Sequence, residues 1–454
     1  MARAHEHIVQ ALQEGGVDHV FGIPGGGTGQ IFGSLFGQEG RIQTVLARHE
    51  QAAAIMADAY GRATGKPAAI MGQGLFMGSN AAFGIMEAYL SSTPMVVLTD
   101  TSDGNVAQHP ANQSGAGEYG SVDLLNIFRS MTKYTTLATN PKEAVIGTQL
   151  AIKHATQGRQ GPTCVLMRSA SIGGEVDMES PPFIHHTAGY LNTTVPQASD
   201  QDIQRVIEIL ASSKRPLMVA GNGVHMARAH GLVRQMAEMW GMPVATSYKG
   251  KSAISETHPL AVGMAGVYGQ QAANAAVGEA DTVLVVGAKL TPQDTVRERP
   301  NMFDPLRQRL IQIDIEAANT GWTFPVEIGL VGDAAAIFSQ LVEASKPAIQ
   351  GKETVHRQRA ADLQGLKERN GFYQDSNLDT DSSPVLPQRL VKVLQENMDP
   401  TTMYALDAGN NRTWMCHFFQ SQQEGTFFCP GGTAGMGWSL PAAVAIKLVH
   451  RDRP

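Results

Sequence analysis

One carboxylate, that of Glu50, stands where a helix of small residues is predicted to begin. Residues 48–65 read RHEQAAAIMADAYGRATG, so alanines follow closely after Glu50. Side chains this small allow a ligand or a second surface to approach the helix backbone. An acidic residue in a first turn is also stabilised by the helix dipole. Glu50 by itself is therefore open to both interpretations.

Glycine-rich segments on either side of this helix could bring the backbone close to a ligand. Residues 24–29 read PGGGTG and residues 72–80 read GQGLFMGSN. The first segment lacks the lysine of a phosphate-binding P-loop, and it fits a turn on the substrate side better. In the second, a buried Gln73 would need a hydrogen-bond partner, either a ligand or the backbone.

Two more glycine-rich segments occur far downstream. Residues 407–414 read DAGNNRTW and residues 430–443 read PGGTAGMGWSLPAA. Met436 stands between Gly435 and Gly437, and methionine is a flexible residue that fills core gaps or adapts to a ligand. The spacing leaves both roles open.

Short apolar runs alternate with helix-period segments along the chain. The runs are rich in valine, isoleucine and leucine and read as buried parallel strands at residues 94–99, 163–167, 216–220, 282–287 and 309–314. The helical segments are residues 51–64, 79–91, 141–157, 202–212, 229–240, 333–344 and 384–397. Such alternation predicts an α/β protein with doubly wound parallel sheets.

Polar linkers predict three units in the chain. Residues 173–199 and 346–383 are rich in proline or in polar residues, and cutting there leaves residues 1–180, 195–345 and 375–454. The third unit, of about 80 residues, is too short for a whole doubly wound domain and reads as the first part of one.

Composition narrows the class of protein. The formal net charge is −6 and 17% of residues are charged, which gives no basic stripe for nucleic acid. Cys164, Cys416 and Cys429 lack metal or disulfide spacing and favour a reducing compartment. No apolar run approaches the ~18–20 residues of a membrane span. We expect a cytoplasmic protein that binds neither nucleic acid nor membrane.

Taken in order, these segments resemble the thiamine-diphosphate enzymes. The HEQAA signature at Glu50, followed by the GRATG ending at Gly65, is the most specific part of the likeness. The resemblance is closest to the group of acetolactate synthase large subunits, benzoylformate decarboxylases and oxalyl-CoA decarboxylases, and it covers nearly the whole chain. It implies a pyrimidine-binding domain (1–180), a central domain (195–345) and the N-terminal part of a diphosphate-binding domain (375–454).

The resemblance also implies a role for each candidate residue. Glu50 matches the carboxylate that bonds N1′ of the thiamine pyrimidine, so that the 4′-amino group can act as a base towards C2. Gln73 matches a polar active-site residue, and Met436 matches an apolar wedge that bends the cofactor. The other implied contacts are to the cofactor from Pro24, Gly25, Asn80, Gly409, Asn410, Ala434 and Gly435, and to the substrate from Gly26, Gly27, Glu118 and Tyr119.

Several segments depart from the acetolactate-synthase pattern. Residues 73–80 read QGLFMGSN in place of TSGPGxTN, and residues 118–123 read EYGSVD where the family has FQE before the acidic position. Both lie on the implied substrate side and leave the substrate open. The resemblance allows FAD on the central domain, but residues 288–295 replace the family's Asp-Asp-Arg element and argue against it.

The family holds the diphosphate through Mg²⁺ with a Gly-Asp-Gly segment, and oxygen ligands of this kind suit the ion. The 454 residues contain no Gly-Asp-Gly, so the metal ligands cannot be named. We expect the remaining part of the domain to come from a longer or a second polypeptide. This chain alone is then expected to bind the cofactor weakly.

The predicted function is that of a decarboxylase or carboligase acting on a 2-oxo acid, with thiamine diphosphate and Mg²⁺. The resemblance implies a homodimer or homotetramer with sites between subunits, the apolar 79–91 helix being a candidate interface. The alternatives are a regulatory relative without catalysis and a different C–C lyase of the same family. An NAD-dependent dehydrogenase lacks its dinucleotide fingerprint here.

Overall fold

The computed structural model describes residues 2–37, 40–102, 109 and 112–454. The chain divides into two compact units. The first contains Met1–Thr193 and Pro430–Arg451, and the second contains Thr194–Cys429 and Asp452–Pro454. A short C-terminal segment is thus part of the first unit.

The first unit is built on a parallel sheet of six strands among the described residues, in the order β2-β1-β3-β4-β6-β5. The strands are β1 (His19–Gly22), β2 (Gln43–Leu46), β3 (Ala68–Gly72), β4 (Met95–Asp100), β5 (Tyr134–Ala138) and β6 (Pro162–Met167). The helices are α1 (Ala4–Glu14), α2 (Gly29–Leu35), α3 (Glu50–Thr64), α4 (Gly74–Ser79), α5 (Ala82–Ser91), α6 (Leu124–Met131), α7 (Pro141–Thr156) and α8 (Ser169–Gly173). Strands β3, β4 and β6 are buried along their whole length, as expected when helices cover both faces of a sheet.

The second unit repeats this plan with the strand order β12-β11-β10-β7-β8-β9. Its strands are β7 (Pro216–Ala220), β8 (Val244–Thr246), β9 (Ala261–Met264), β10 (Thr282–Val286), β11 (Arg309–Asp314) and β12 (Ile328–Val331), and a separate pair is formed by β13 (Tyr404–Ala405) and β14 (Phe427–Phe428). Its helices are α9 (Asp200–Ser212), α10 (Asn222–Met226), α11 (His230–Trp240), α12 (Gln271–Glu279), α13 (Ala334–Ala348), α14 (Glu353–Asn370), α15 (Pro387–Asn397) and α16 (Asn410–Phe418).

The predicted fold class is confirmed. The described residues form two doubly wound parallel sheets and a two-stranded third sheet, which is consistent with an incomplete third domain. One helix prediction was wrong in detail. Residues 79–91 were read as one helix, but α4 ends at Ser79 and α5 begins at Ala82, because the N–H groups of Asn80 and Ala81 both bond the carbonyl of Phe76 in a turn.

The last helix, α17 (Ser439–Val449), packs on α3 within the first unit. Its Leu448 and Val449 join the cluster of buried side chains beneath α3. The face of α3 that carries its small residues is therefore covered by another helix of the same chain. On another part of that face Gly84 of α5 comes so close that an added Cβ would lie 2.6 Å from the Cβ of Ala54.

Among the described residues, none of the helices combines the length and the apolar character that a bilayer crossing requires.

Candidate active site

The candidate residues of the first unit gather at the carboxyl edge of its sheet. Strands β1, β3 and β4 are neighbours and parallel, so the loops that leave them start side by side. The loop after β1 carries Pro24–Gly27, the loop after β3 begins with Gln73, and β4 ends at Asp100. This is the edge at which doubly wound sheets bind ligands.

The buried carboxylate of Asp100 joins two of these loops. It accepts the backbone N–H of Gly27 at 2.5 Å and that of Gly74 at 3.0 Å. Gly26 has φ +53°, and a Cβ on it would collide with the same carboxylate. A residue with a side chain would displace this loop, so glycine is required at position 26.

Gln73 lies beside Gly25, where an added Cβ would be 3.7 Å from the Cβ of Gln73. The side-chain amide of Gln73 donates hydrogen bonds to Ser102 Oγ at 3.2 Å and to Gln113 Oε1 at 2.5 Å. Sequence reasoning expected a ligand or the backbone as its partner, and the observed partners are other side chains. The Gln73 side chain is half-buried.

Glu50 is the first residue of α3, directly after β2 and its loop. Its Oε2 accepts a hydrogen bond from Nδ2 of Asn80 at 2.9 Å. The sequence named Glu50 and Asn80 as separate cofactor contacts and did not indicate that they bond each other. The Glu50 side chain is half-buried.

The loop before α17 is held by a residue that sequence reasoning missed, Glu87 of α5. Its buried carboxylate accepts the backbone N–H groups of Gly431, Gly432, Thr433 and Ala434. The lone acidic residue in an apolar helix was the available signal, since a buried carboxylate must be paired.

Three cofactor contacts were predicted on this loop. The backbone or the packing constrains two of them, and the third side chain is exposed. Ala434 has φ +53°, and a Cβ on Gly435 would collide with the ring of Phe83. The side chain of Met436 is 82% exposed. An exposed apolar side chain on an anchored loop is available to contact a ligand or a second protein surface.

A buried ionic cluster lies behind the loop. The Arg62 guanidinium contacts Asp58 Oδ2 at 2.8 Å and Glu87 Oε1 at 2.7 Å, and it lies 5.0 Å from the ring centroid of Trp438. Burial alone would lower the pKa of Arg62, but the charges of Asp58 and Glu87 outweigh it and raise that pKa. Burial raises the pKa of Asp58, and the nearby Arg62 charge only partly opposes it.

Four other predicted residues lie at exposed positions. Glu118 and Tyr119 lie on an exposed loop before α6, with Tyr119 95% exposed, and Glu118 approaches Arg168 at 3.9 Å. Gly409 and Asn410 are exposed at the start of α16 and belong to the second unit.

The residues of the first unit fit the pyrimidine end of a thiamine cofactor. A half-buried carboxylate, oriented by an amide donor, is available to bond a ring nitrogen, and the glycine loop after β1 is held in one conformation by Asp100. Across the described ranges, histidine, cysteine, aspartate and glutamate do not gather in threes as a metal site would require.

Three thiamine pyrophosphate enzyme domains match the chain. They are the N-terminal TPP binding domain at residues 2–116, the central domain at 203–341 and the C-terminal TPP binding domain at 407–454. The chain belongs to the thiamine pyrophosphate enzyme family, as its sequence predicted.

Within that family the chain is an acetolactate-synthase-like enzyme. It is 32% identical to the probable acetolactate synthase large subunit of Methanocaldococcus jannaschii, over 98% of this chain and 73% of the relative. It is 29% identical to the acetolactate synthase large subunit of Corynebacterium glutamicum, over 98% and 68%. It is also 28% identical to a sulfoacetaldehyde acetyltransferase of Alcaligenes xylosoxydans xylosoxydans, over 99% and 75%.

Proposed function

We propose that this chain cleaves the bond between the carboxylate and the carbonyl of a 2-oxo acid, either releasing an aldehyde or joining the fragment to a second carbonyl. The observation that carries the proposal is the hydrogen bond from Asn80 to Glu50 at the carboxyl edge of the first sheet. A carboxylate held at that edge by a neutral donor is suited to hold a proton against a heterocyclic nitrogen.

Thiamine diphosphate supplies, when bound, a carbon acid whose conjugate base attacks the substrate carbonyl. The protein's part is to orient the cofactor and to polarise its pyrimidine ring. Glu50 bonds the pyrimidine ring and keeps its amino group basic, and Asn80 fixes the carboxylate in one rotamer. Pro24 and Gly25 line the same edge. Met436 supplies the apolar wedge, and Ala434 and Gly435 beside it contact the cofactor through their backbone.

The substrate side is assigned to Gly26, Gly27 and Gln73, together with Glu118 and Tyr119 from the loop before α6. The N–H groups of the Gln73 amide are directed at Ser102 and Gln113, so its Oε1 is the atom offered to a hydroxyl group of the substrate.

The diphosphate is assigned to the third segment, residues 375–454, with Gly409 and Asn410 at the start of α16. A helix N-terminus with exposed N–H groups favours an anion, and Mg²⁺ would be shared with the phosphate oxygens. Residues 1–180 act as the pyrimidine-binding domain and 195–345 as the central domain. We do not propose bound FAD, because residues 288–295 lack the family's Asp-Asp-Arg element.

We further propose a homodimer or homotetramer with sites between subunits. Exposed apolar side chains on one unit support it, namely Met86, Tyr89, Leu90, Leu440 and Val444. The three cysteines are buried and form no disulfide, which supports a cytoplasmic location, where thiols stay reduced.

Replacing Glu50 tests the function directly. We expect Glu50→Gln to abolish exchange of the C2 proton of thiamine diphosphate, followed by NMR in D₂O with Mg²⁺, and to abolish CO₂ release from a panel of 2-oxo acids. Glu143→Gln, a first-turn acidic residue on α7, is the matched control and should retain both. Wild-type exchange in Glu50→Gln would refute the role of Glu50. CO₂ release from none of the 2-oxo acids by the wild-type protein would refute the reaction.

A further inference from the structure

Glu87 is a buried carboxylate in the middle of an otherwise apolar helix. Its side chain has no exposed surface, and its neighbours on α5 are Met86, Ala88 and Tyr89. A charge in such a position is costly unless several donors compensate it.

The compensating donors come mainly from the backbone of one loop. Oε1 accepts the N–H groups of Gly431 and Gly432, each at 3.0 Å. Oε2 accepts the N–H of Thr433 at 2.7 Å, its hydroxyl at 2.8 Å and the N–H of Ala434 at 3.3 Å.

Four consecutive N–H groups that converge on one anion form a backbone nest. Bonds from neutral donors to an ionised acceptor are stronger than neutral ones, so the carboxylate selects one conformation of the loop. That conformation includes the left-handed backbone at Ala434, with φ +53°, which alanine adopts at a cost.

Two side chains complete the shell on the other side. Arg62 Nη2 lies 2.7 Å from Oε1 and Ser91 Oγ donates to the same oxygen at 2.8 Å. Glu87 thereby links α3, where Glu50 is the first residue, to the loop that carries Met436. The two elements that are to meet the cofactor share one anchor.

We propose that Glu87 is a positioning residue of the thiamine site, which fixes residues 431–434 so that Ala434, Gly435 and Met436 stand in a defined place against the cofactor. The inference rests on the proposed function of Met436 as a wedge. Glu87 itself does not contact the reacting atoms. Its effect passes through the loop backbone.

The test compares Glu87→Gln with Glu14→Gln in the whole protein. Glu14 also accepts a loop N–H, that of Thr187 at 2.7 Å, elsewhere in the same unit. A glutamine at position 87 turns an NH₂ group towards donors that need an acceptor. We expect backbone amides of residues 431–437 to exchange at least about tenfold faster in Glu87→Gln, as loss of roughly one charge-assisted bond implies. Amides of β4 should be unchanged.

The functional readout is the thiamine diphosphate concentration that half-saturates the protein in the presence of Mg²⁺. It should rise about tenfold or more in Glu87→Gln, the equivalent of about 1.4 kcal/mol, and stay at the wild-type value in Glu14→Gln. Faster loop exchange with unaltered cofactor binding and turnover would show that Glu87 is only structural and would overturn the proposal.

A second variant covers the case in which Glu87→Gln does not fold. Thr433→Val removes the hydroxyl bond to Glu87 Oε2 and keeps the side-chain shape. It should accelerate loop exchange and weaken cofactor binding in the same direction by a smaller factor. No change in either quantity would contradict the inference. If the wild-type protein binds thiamine diphosphate but decarboxylates no 2-oxo acid, the proposed reaction fails while the role of Glu87 is still decided by binding.

Discussion

The indole N–H of Trp438 donates a hydrogen bond to the carboxylate of Asp58 over 3.0 Å, and both side chains are buried. The two residues are 380 positions apart in the chain. Through this bond the segment before α17 is tied to the helix that Glu50 begins. The Arg62 guanidinium, which pairs with Asp58, also covers the Trp438 ring.

Trp438→Phe should therefore destabilise the first unit. The substitution removes one donor from a buried carboxylate, and leaving such an acceptor short of a partner costs about 1–3 kcal/mol. Urea unfolding followed by circular dichroism measures the loss. Trp414→Phe, a ring stacked on Phe418 in the second unit, is the control for loss of indole surface. Equal stability of Trp438→Phe and wild type would show that the bond contributes nothing.

Asn80→Ala should impair catalysis more than stability. Without the amide donor the Glu50 carboxylate is no longer held in one rotamer. We expect kcat to fall by about 10- to 100-fold, which is less than the about 10²–10⁴-fold that a group transferring the proton itself contributes. Asn126→Ala removes a similar bond, from Nδ2 to Asp123 Oδ2 at 2.7 Å, at an exposed helix start. It should leave kcat unchanged. A normal kcat in Asn80→Ala would separate Asn80 from the function of Glu50.

Asp100→Asn should loosen both substrate-side loops. The carboxylate accepts two N–H groups, those of Gly27 and Gly74. An asparagine side chain has a single acceptor oxygen and can replace only one of these bonds. We expect a loss of about 1–3 kcal/mol of stability together with a raised KM for the 2-oxo acid. The control is Asp333→Asn, at the N-cap of α13 in the second unit. An unchanged KM with lowered stability would limit Asp100 to a structural role.

The second unit should lose stability in mild acid. Nδ1 of His225 lies 2.9 Å from Nε2 of His230. Burial, and then the neighbouring His230, lower the pKa of His225 to about 3, and burial with the charge of Arg228 lowers that of His230 to about 4, both from an ordinary 6.5. The unfolded chain therefore binds more protons than the native state between pH 6.5 and about 4.

The contribution of this pair is fully present above pH 6.5 and is lost as the pH falls, by up to about 1.4 kcal/mol per pH unit for each proton. Urea unfolding at pH 7.5, 6.5 and 5.5 measures the slope. The double variant His225→Gln/His230→Gln should have a shallower slope, with a constant difference from wild type above pH 7.5. Parallel profiles at every pH would refute the assignment.

Local pattern was sufficient for much of the fold. All five predicted strands are found, because each is a short β-branched run buried on both faces. The other strands of the two sheets were not predicted. Strand β2, for example, has half-exposed residues that carry no such pattern, and β8 has only three residues. Helix α3 begins one residue before its predicted start and ends as predicted at Thr64, next to a left-handed Gly65.

By itself, the sequence determined the family, the doubly wound fold and the identity of the carboxylate at the start of α3. Those features depend on neighbours in the chain, on periodicity and on the order of motifs. Only the tertiary structure decided that Asn80 bonds Glu50, that Asp100 ties two glycine loops together, and that Glu87 holds the loop of Met436. Each of these links joins residues from 26 to 347 positions apart. Their partners are backbone N–H groups or common polar side chains that carry no signature of their own. A buried carboxylate has to find donors somewhere, and the path of the chain in space determines which donors it finds.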